Sequence, residues 1–203
     1  RCLITAGRVG SRANPPYELG REQMNPSKLK SQVEATLNPL IDTRLIDMGR
    51  AHTMQWLIFS PIGFQNNLDS KSLSLIEYAL HIQCTWRIRE QDRIFVASDD
   101  LYFPAGGDPF QNLDDFDWTP QGSNRLDERS NQFLKIAMNN SITVQSIEAD
   151  FVGGLYIHLN KGYCIDIFPA NSLEREYWRF FNRISDQGHF VITGKGIEQP
   201  TDK

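Results

Sequence analysis

With 203 residues, 40% of them hydrophobic, and aromatics spread along its length, the chain can bury a sizeable core and is not of the disordered class. Its net charge is −4 and it has no basic block of five residues, so nucleic acid is not an expected partner. No apolar run approaches the roughly 20 residues that cross a bilayer, so no membrane partner is expected either.

Residues 1–23, RCLITAGRVGSRANPPYELGREQ, show neither a helical nor a strand period. They hold four arginines, two glutamates and no lysine, and the first Met is Met24. The segment reads either as an extension foreign to the folded body or as a disordered N-terminal arm. Without it the charge moves from −4 to −6. Three sparse cysteines (Cys2, Cys84, Cys164) form no CxxC pair, and the opening residues lack a continuous apolar stretch of the secretory kind. Both point to a reducing, cytoplasmic setting.

Folded character begins at Met24. Asn25 suits a helix cap, Pro26 suits the first helical position, and Leu29, Val33 and Leu37 recur every four residues. TRLIDMGRAHTMQWLIFS then reads as two strands, with Met54, Trp56 and Ile58 alternating with Gln55, Leu57 and Phe59. A polar loop opens at Pro61-Ile62-Gly63 and leads to EYALHIQCTWRIR at 77–89. There Leu80, Ile82, Cys84, Trp86 and Ile88 share one face of a predicted strand. His81, Gln83, Thr85, Arg87 and Arg89 share the other. RIFVASDDLYF (93–103) is the next predicted strand.

Residues 104–122 are rich in Gly, Pro and Asp, have no period, and form a long connection. A helix is predicted to start near Asn124, with Asp127 and Glu128 in its first turn and an apolar stripe of Leu126, Phe133, Leu134, Ala137 and Met138. ITVQSIEADFV, LYIHLN and YCIDIFPA follow as a three-strand meander, with turns at Gly153-Gly154 and Lys161-Gly162. Asn171 and Glu174 resemble a capping box for a short helix carrying Leu173, Tyr177, Trp178 and Phe181. HFVITGKGI supplies one last strand.

Set side by side, 24–103 and 123–203 match in element order across the 104–122 connection. MQWLIF (54–59) aligns with GLYIHL (154–159), and EYALHIQC (77–84) with GYCIDIF (162–168). The pattern reads as an internal duplication or as a chance likeness of two β-meanders. In either case the expected class is α+β with mostly antiparallel sheets and a few helices.

Chemical motifs are sparse. His81 and Cys84 are three apart, so on a regular strand they point to opposite faces and do not share a metal. Cys84 reads as a small core residue, and His52, His158 and His189 form no metal-binding pattern. The nucleophile elbow, the phosphate loop and the dinucleotide fingerprint are absent, and Thr193-Gly-Lys-Gly196 reads as a terminal turn. Ser185, Asp186 and His189 gain nothing from adjacency, because triads are assembled in space. Asp99-Asp100 reads as a strand-end turn. Asp108, Asp114, Asp115 and Asp117 lack the EF-hand glycine and terminal Glu and read as a solvated loop. No catalytic residue, metal or cofactor is therefore assigned.

The runs HIQCTWRI, RIFVASDDLYFPAGGD, FDW, NRLDE, GGLYIHLNKGYCIDIFP and EYWRFF together resemble a group of uncharacterised bacterial proteins, over most of the chain from Met24 onward. That resemblance implies small cytosolic proteins without an assigned activity, some of them like immunity proteins found near toxin genes. It carries over no catalytic residue. Two functions stay open. One is a non-catalytic, toxin-neutralising protein whose partner is a basic protein such as a toxin domain, steered by the acidic body. Its contacts would be Asp108, Asp114, Asp115, Asp117 and Trp118 of the long connection, unless Phe116 and Trp118 instead pack that loop onto its own domain. The other is a small-molecule-binding protein or enzyme with a pocket between the two halves, lined by Tyr78, Trp86, Arg87 and Tyr163.

Overall fold

The computed structural model describes residues 26–62, 77–108 and 113–198. The 1–23 segment, the Asn25 cap, most of the loop that opens at Pro61 and Phe110 lie outside the described residues. Helix α1 (Pro26–Leu37) buries Leu29, Val33 and Leu37, the stripe expected from their spacing. It is followed by strands β1 (Thr43–Ala51), β2 (Met54–Pro61), β3 (Tyr78–Ile82), β4 (Thr85–Glu90) and β5 (Arg93–Ala97). Helix α2 (Arg125–Asn139) precedes β6 (Val144–Ala149), β7 (Leu155–Leu159), β8 (Tyr163–Phe168), β9 (Glu176–Asn182), β10 (Phe190–Thr193) and β11 (Gly196–Ile197). The strands form two antiparallel sheets, ordered β1-β2-β3-β9-β10-β11 and β5-β4-β8-β7-β6. The class is α+β, and both sheets and both helices feed one hydrophobic core.

Residues 77–89 are not one strand. The chain breaks at Gln83-Cys84 and crosses from the first sheet to the second. The burial alternation nevertheless survives: Leu80, Ile82, Trp86 and Ile88 are all buried, with Cys84 half-buried at the corner. Both sheets turn their dry faces to the same core, so the side-chain pattern does not register the change of partner strands.

Other expectations are corrected in the same way. The strand predicted for 93–103 stops at Ala97, where a short 3-10 turn (Ser98–Tyr102) begins and the Asp100 carboxylate accepts the Ala97 amide at 3.0 Å. No helix follows Asn171: its carboxamide oxygen accepts the Leu173 amide, and Tyr177 and Trp178 belong to β9. That strand lies between β3 and β10 and buries residues on both faces, so its apolar run imitates a helical stripe. HFVITGKGI forms the β10–β11 hairpin rather than a single strand. On α2, Leu126, Phe133 and Ala137 are buried, but Met138 is 50% exposed and Ser130 is buried in the stripe.

The halves drawn from the sequence are not separate bodies, because each sheet takes strands from both. Residues 24–103 place three strands in the first sheet and two in the second, while 123–203 place three in the second and the rest in the first. The exchange is regular in register. Across β4–β8, Trp86 faces Ile167, Arg87 faces Asp166 and Ile88 faces Ile165. Across β9–β3, Trp178 faces Ile82, Arg179 faces His81 and Phe180 faces Leu80. Each leading hairpin carries a bulge at the same place, between Leu45 and Asp47 and between Val144 and Ser146. Helix α1 packs on β6 and α2 on β1, so each helix closes the sheet that the other half begins.

Candidate functional site

The long connection is clamped from below. Arg50 of β1 is 3% exposed and forks onto Asp127 of α2, with Nε to Oδ1 at 2.7 Å and Nη2 to Oδ2 at 2.9 Å. The same Nη2 donates to the carbonyls of Trp118, Thr119 and Pro120 at 3.0–3.3 Å. Asp127 Oδ2 also accepts the Gly122 amide and the Asn124 Nδ2, and Asn124 in turn caps α2 by accepting the Asp127 amide at 2.8 Å. Sequence reasoning found the helix start near Asn124 and the first-turn acid but missed Arg50. The available signal was phase: beyond the β1 bulge, Arg50 lies two residues from buried Met48 and shares its face.

On this clamped loop Trp118 is half-buried and packs against the core. Its ring stands edge-on to His52, 4.8 Å away in the β1–β2 turn, and to Tyr102, 5.8 Å away in the 3-10 turn. Tyr102 and Leu113 are 50% and 39% exposed. Between Ser98 and Asn124 the sequence has six aspartates and no lysine or arginine. Of these, Asp99, Asp108, Asp115 and Asp117 are exposed, and Asp114 sits in a second 3-10 turn (Leu113–Asp115). Asp117 accepts both the hydroxyl and the amide of Thr119, which hold its carboxyl below the usual value. Trp118 thus both packs the loop onto its own domain and contributes an aromatic edge to an acidic surface.

A crevice of about 420 Å³ opens beside this surface, where the two sheet-to-sheet crossovers meet. Gln83 and Cys84 come from the β3–β4 crossover, Asn171 and Arg175 from the segment between β8 and β9, and Asp99 and Tyr102 form a wall shared with the acidic face. Burial pushes the Cys84 thiol up to about 12, so it supplies no thiolate near neutral pH. Glu176, also on the wall, is raised by burial, but hydrogen bonds from Arg179 and Gln83 outweigh that and hold it below the usual range.

The four residues expected to line a pocket are not brought together. Trp86 is 1% exposed in the core, whereas Arg87 lies on the opposite face of β4, paired with Asp166. Tyr163 is buried against Phe133 and donates its hydroxyl to Glu90 at 2.8 Å. Tyr78 is half-buried and stacks on Phe180, with ring centres 5.6 Å apart. Alternation along β4 by itself sends Trp86 and Arg87 to opposite faces, and the pairing places Tyr78 and Tyr163 in different sheets.

Cys164 and His158 are a further pairing that sequence reasoning passed over. They lie opposite each other across β7–β8, with Sγ 3.7 Å from Nδ1. A two-residue turn at Lys161-Gly162 would have set His158 against Ile165; the connection is the three-residue Asn160–Gly162, which shifts the register by one and brings His158 opposite Cys164. Burial, with a hydrogen bond to Asp166, pushes the Cys164 thiol up to about 12, which disfavours the thiolate that a nucleophile needs. Among the described residues no group of three or more His, Cys, Asp or Glu is placed to hold a metal ion, and no helix is long and apolar enough to cross a membrane. Comparison of the chain with protein-family models, with curated proteins and with solved structures finds no match.

Proposed function

We propose that this chain is a non-catalytic binding protein that takes up a basic protein, in the manner of a cytoplasmic immunity protein neutralising a toxin domain. The observation that carries the reading is the clamp beneath Trp118. Arg50 and Asp127 hold three successive loop carbonyls in place, so the aromatic and acidic groups above them are ordered before any partner arrives. Pre-ordering removes part of the entropic cost of association. Tyr102 offers an exposed anchor, and the aspartates steer a positively charged surface. A small-molecule site in the crevice is the second reading, favoured by its volume. Its lining of amides, hydroxyls and charges suits a recess for one side chain of a partner better than the largely apolar pocket of a small ligand.

The test begins by copurifying the protein from its own host and identifying the bound protein. Association is then measured at low and high salt for the wild type, for Asp99→Ser/Asp115→Ser and for Tyr102→Ala. The aspartate variant should associate several-fold more slowly with a flatter salt dependence, and Tyr102→Ala should dissociate roughly 10-fold faster, both at unchanged melting temperature. Unaltered kinetics in both variants would remove this face from consideration.

A further inference from the structure

We propose that the outer face of the β5-β4-β8-β7-β6 sheet is a binding site for a phosphoryl group, held by Arg87 and Arg89. Asp166 of β8 is almost fully enclosed, its side chain 2% exposed. Arg87 Nε reaches it at 2.8 Å and Arg89 Nε at 3.0 Å, so two guanidinium groups share one carboxylate. The arginines are two apart on β4 and therefore share a face, and both line a depression of about 550 Å³ with Tyr156 on its wall.

Each arginine spends its Nε edge on Asp166. Among the described residues the two terminal nitrogens of Arg87 make no hydrogen bond, while the Arg89 guanidinium also reaches the Gln91 carbonyl at 3.4 Å and lies beside the Cys164 thiol. The Arg87 guanidinium also lies over the Phe168 ring, 5.4 Å from its centre. The result is a fixed pair of donor groups with one positive charge in excess of the carboxylate beneath them. Arg93, on the same wall, is paired with Glu90 and adds little. Asp92 also lines the depression and opposes an anion.

The other sheet supplies an internal control. The register-equivalents of Asp166, Arg87 and Arg89 are His81, Arg179 and Phe181. There Arg179 is engaged by Glu176, and Phe181 stands in the place of the second arginine. The same strand crossing therefore forms without an Arg–Asp–Arg set, so the set is not a requirement of the fold. Two guanidinium groups lining one depression suit a tetrahedral dianion with three free oxygens better than a carboxylate, which occupies a single fork.

The test titrates the full chain with inorganic phosphate at fixed ionic strength, by calorimetry and by the arginine Nε–H resonances. One saturable site with a Kd on the order of 1 mM is expected, with the Arg87 and Arg89 resonances shifting together. Arg87→Lys keeps a charge for Asp166 but loses the fork, and should weaken binding about 10-fold at unchanged melting temperature. Arg87→Gln/Asp166→Asn, which removes both charges at once, should weaken binding further, and Asp92→Asn should tighten it. Acetate binding as well as phosphate, no saturable phosphate binding by the wild type, or an unchanged Kd in folded Arg87→Lys would each overturn the proposal.

Discussion

Trp86 and Trp178 hold register-equivalent places: Trp86 lies opposite Ile167, Trp178 lies opposite Ile82, and each is at most 1% exposed. Each sits in the first strand after a crossover, where a half enters the sheet begun by the other. The two indoles therefore fill the joints that lock the halves together.

Trp86→Ala and Trp178→Ala should each cost about 3–5 kcal/mol, the range for emptying a large aromatic site in a packed core. Trp178 also donates its indole N–H to the Gly153 carbonyl at 2.8 Å. Trp178→Phe should therefore cost about 1–3 kcal/mol, part of it from the acceptor left unmade. Urea unfolding measures all three; a loss below about 1 kcal/mol in either alanine variant would show that its joint is not a core site.

The Arg50–Asp127 pair should behave as a buried charge pair. Asp127→Ala leaves an enclosed guanidinium without its carboxylate and should cost about 3–5 kcal/mol. The Gly122 amide, which donates to Asp127 at 2.7 Å, should lose its protection from hydrogen exchange in the same variant. Retained protection at Gly122 would mean that the loop is held by something other than the clamp.

Cys84 and Cys164 should be poor nucleophiles in the folded protein. Burial is the main cause at both, and each thiol is pushed up to about 12. At pH 8 the thiolate fraction is then on the order of 10⁻⁴. Peptide mapping after brief iodoacetamide treatment should find both unmodified in folded protein and both modified after denaturation. Fast labelling of Cys164 in the folded state would reopen the case for a Cys164–His158 pair.

His81 should make the fold sensitive to mild acid. Burial lowers its pKa below 6.5, aided by the charges of Arg179 and His189 and opposed by Glu176. The unfolded chain therefore binds the proton more readily than the folded one. Stability from the neutral ring is fully present above about 6.5 and is lost as pH falls from there toward the depressed value. His81→Gln should flatten that part of the curve of urea midpoint against pH. An equally steep fall in the variant would assign the effect to another group.

The local chemistry of single elements was legible in the sequence. Leu29, Val33 and Leu37 marked α1, Asn124 and Asp127 marked the start of α2, and from Leu80 to Ile88 the large buried residues on either side of the Gln83-Cys84 corner kept to one face. These features depend on contacts within a few residues, and period and capping report such contacts directly. The match of 54–59 with 154–159 and of 77–84 with 162–168 was also visible there, and it coincides with the pairing register.

What only the tertiary structure decided is which strands pair and what lies behind each face. A strand with one dry side looks the same in either sheet, so the crossing at Gln83-Cys84 left no trace in its pattern. Buried on both faces, β9 lost its alternation and imitated a helix. Arg50 and Asp127 are 77 residues apart, as Arg89 and Asp166 are, and each pair meets only because two distant segments pack side by side. A charge on a strand or a helix turn carries no mark of the partner that burial will give it. That partner is set by long-range packing, and with it whether the charge clamps a loop, faces an anion or rests in solvent.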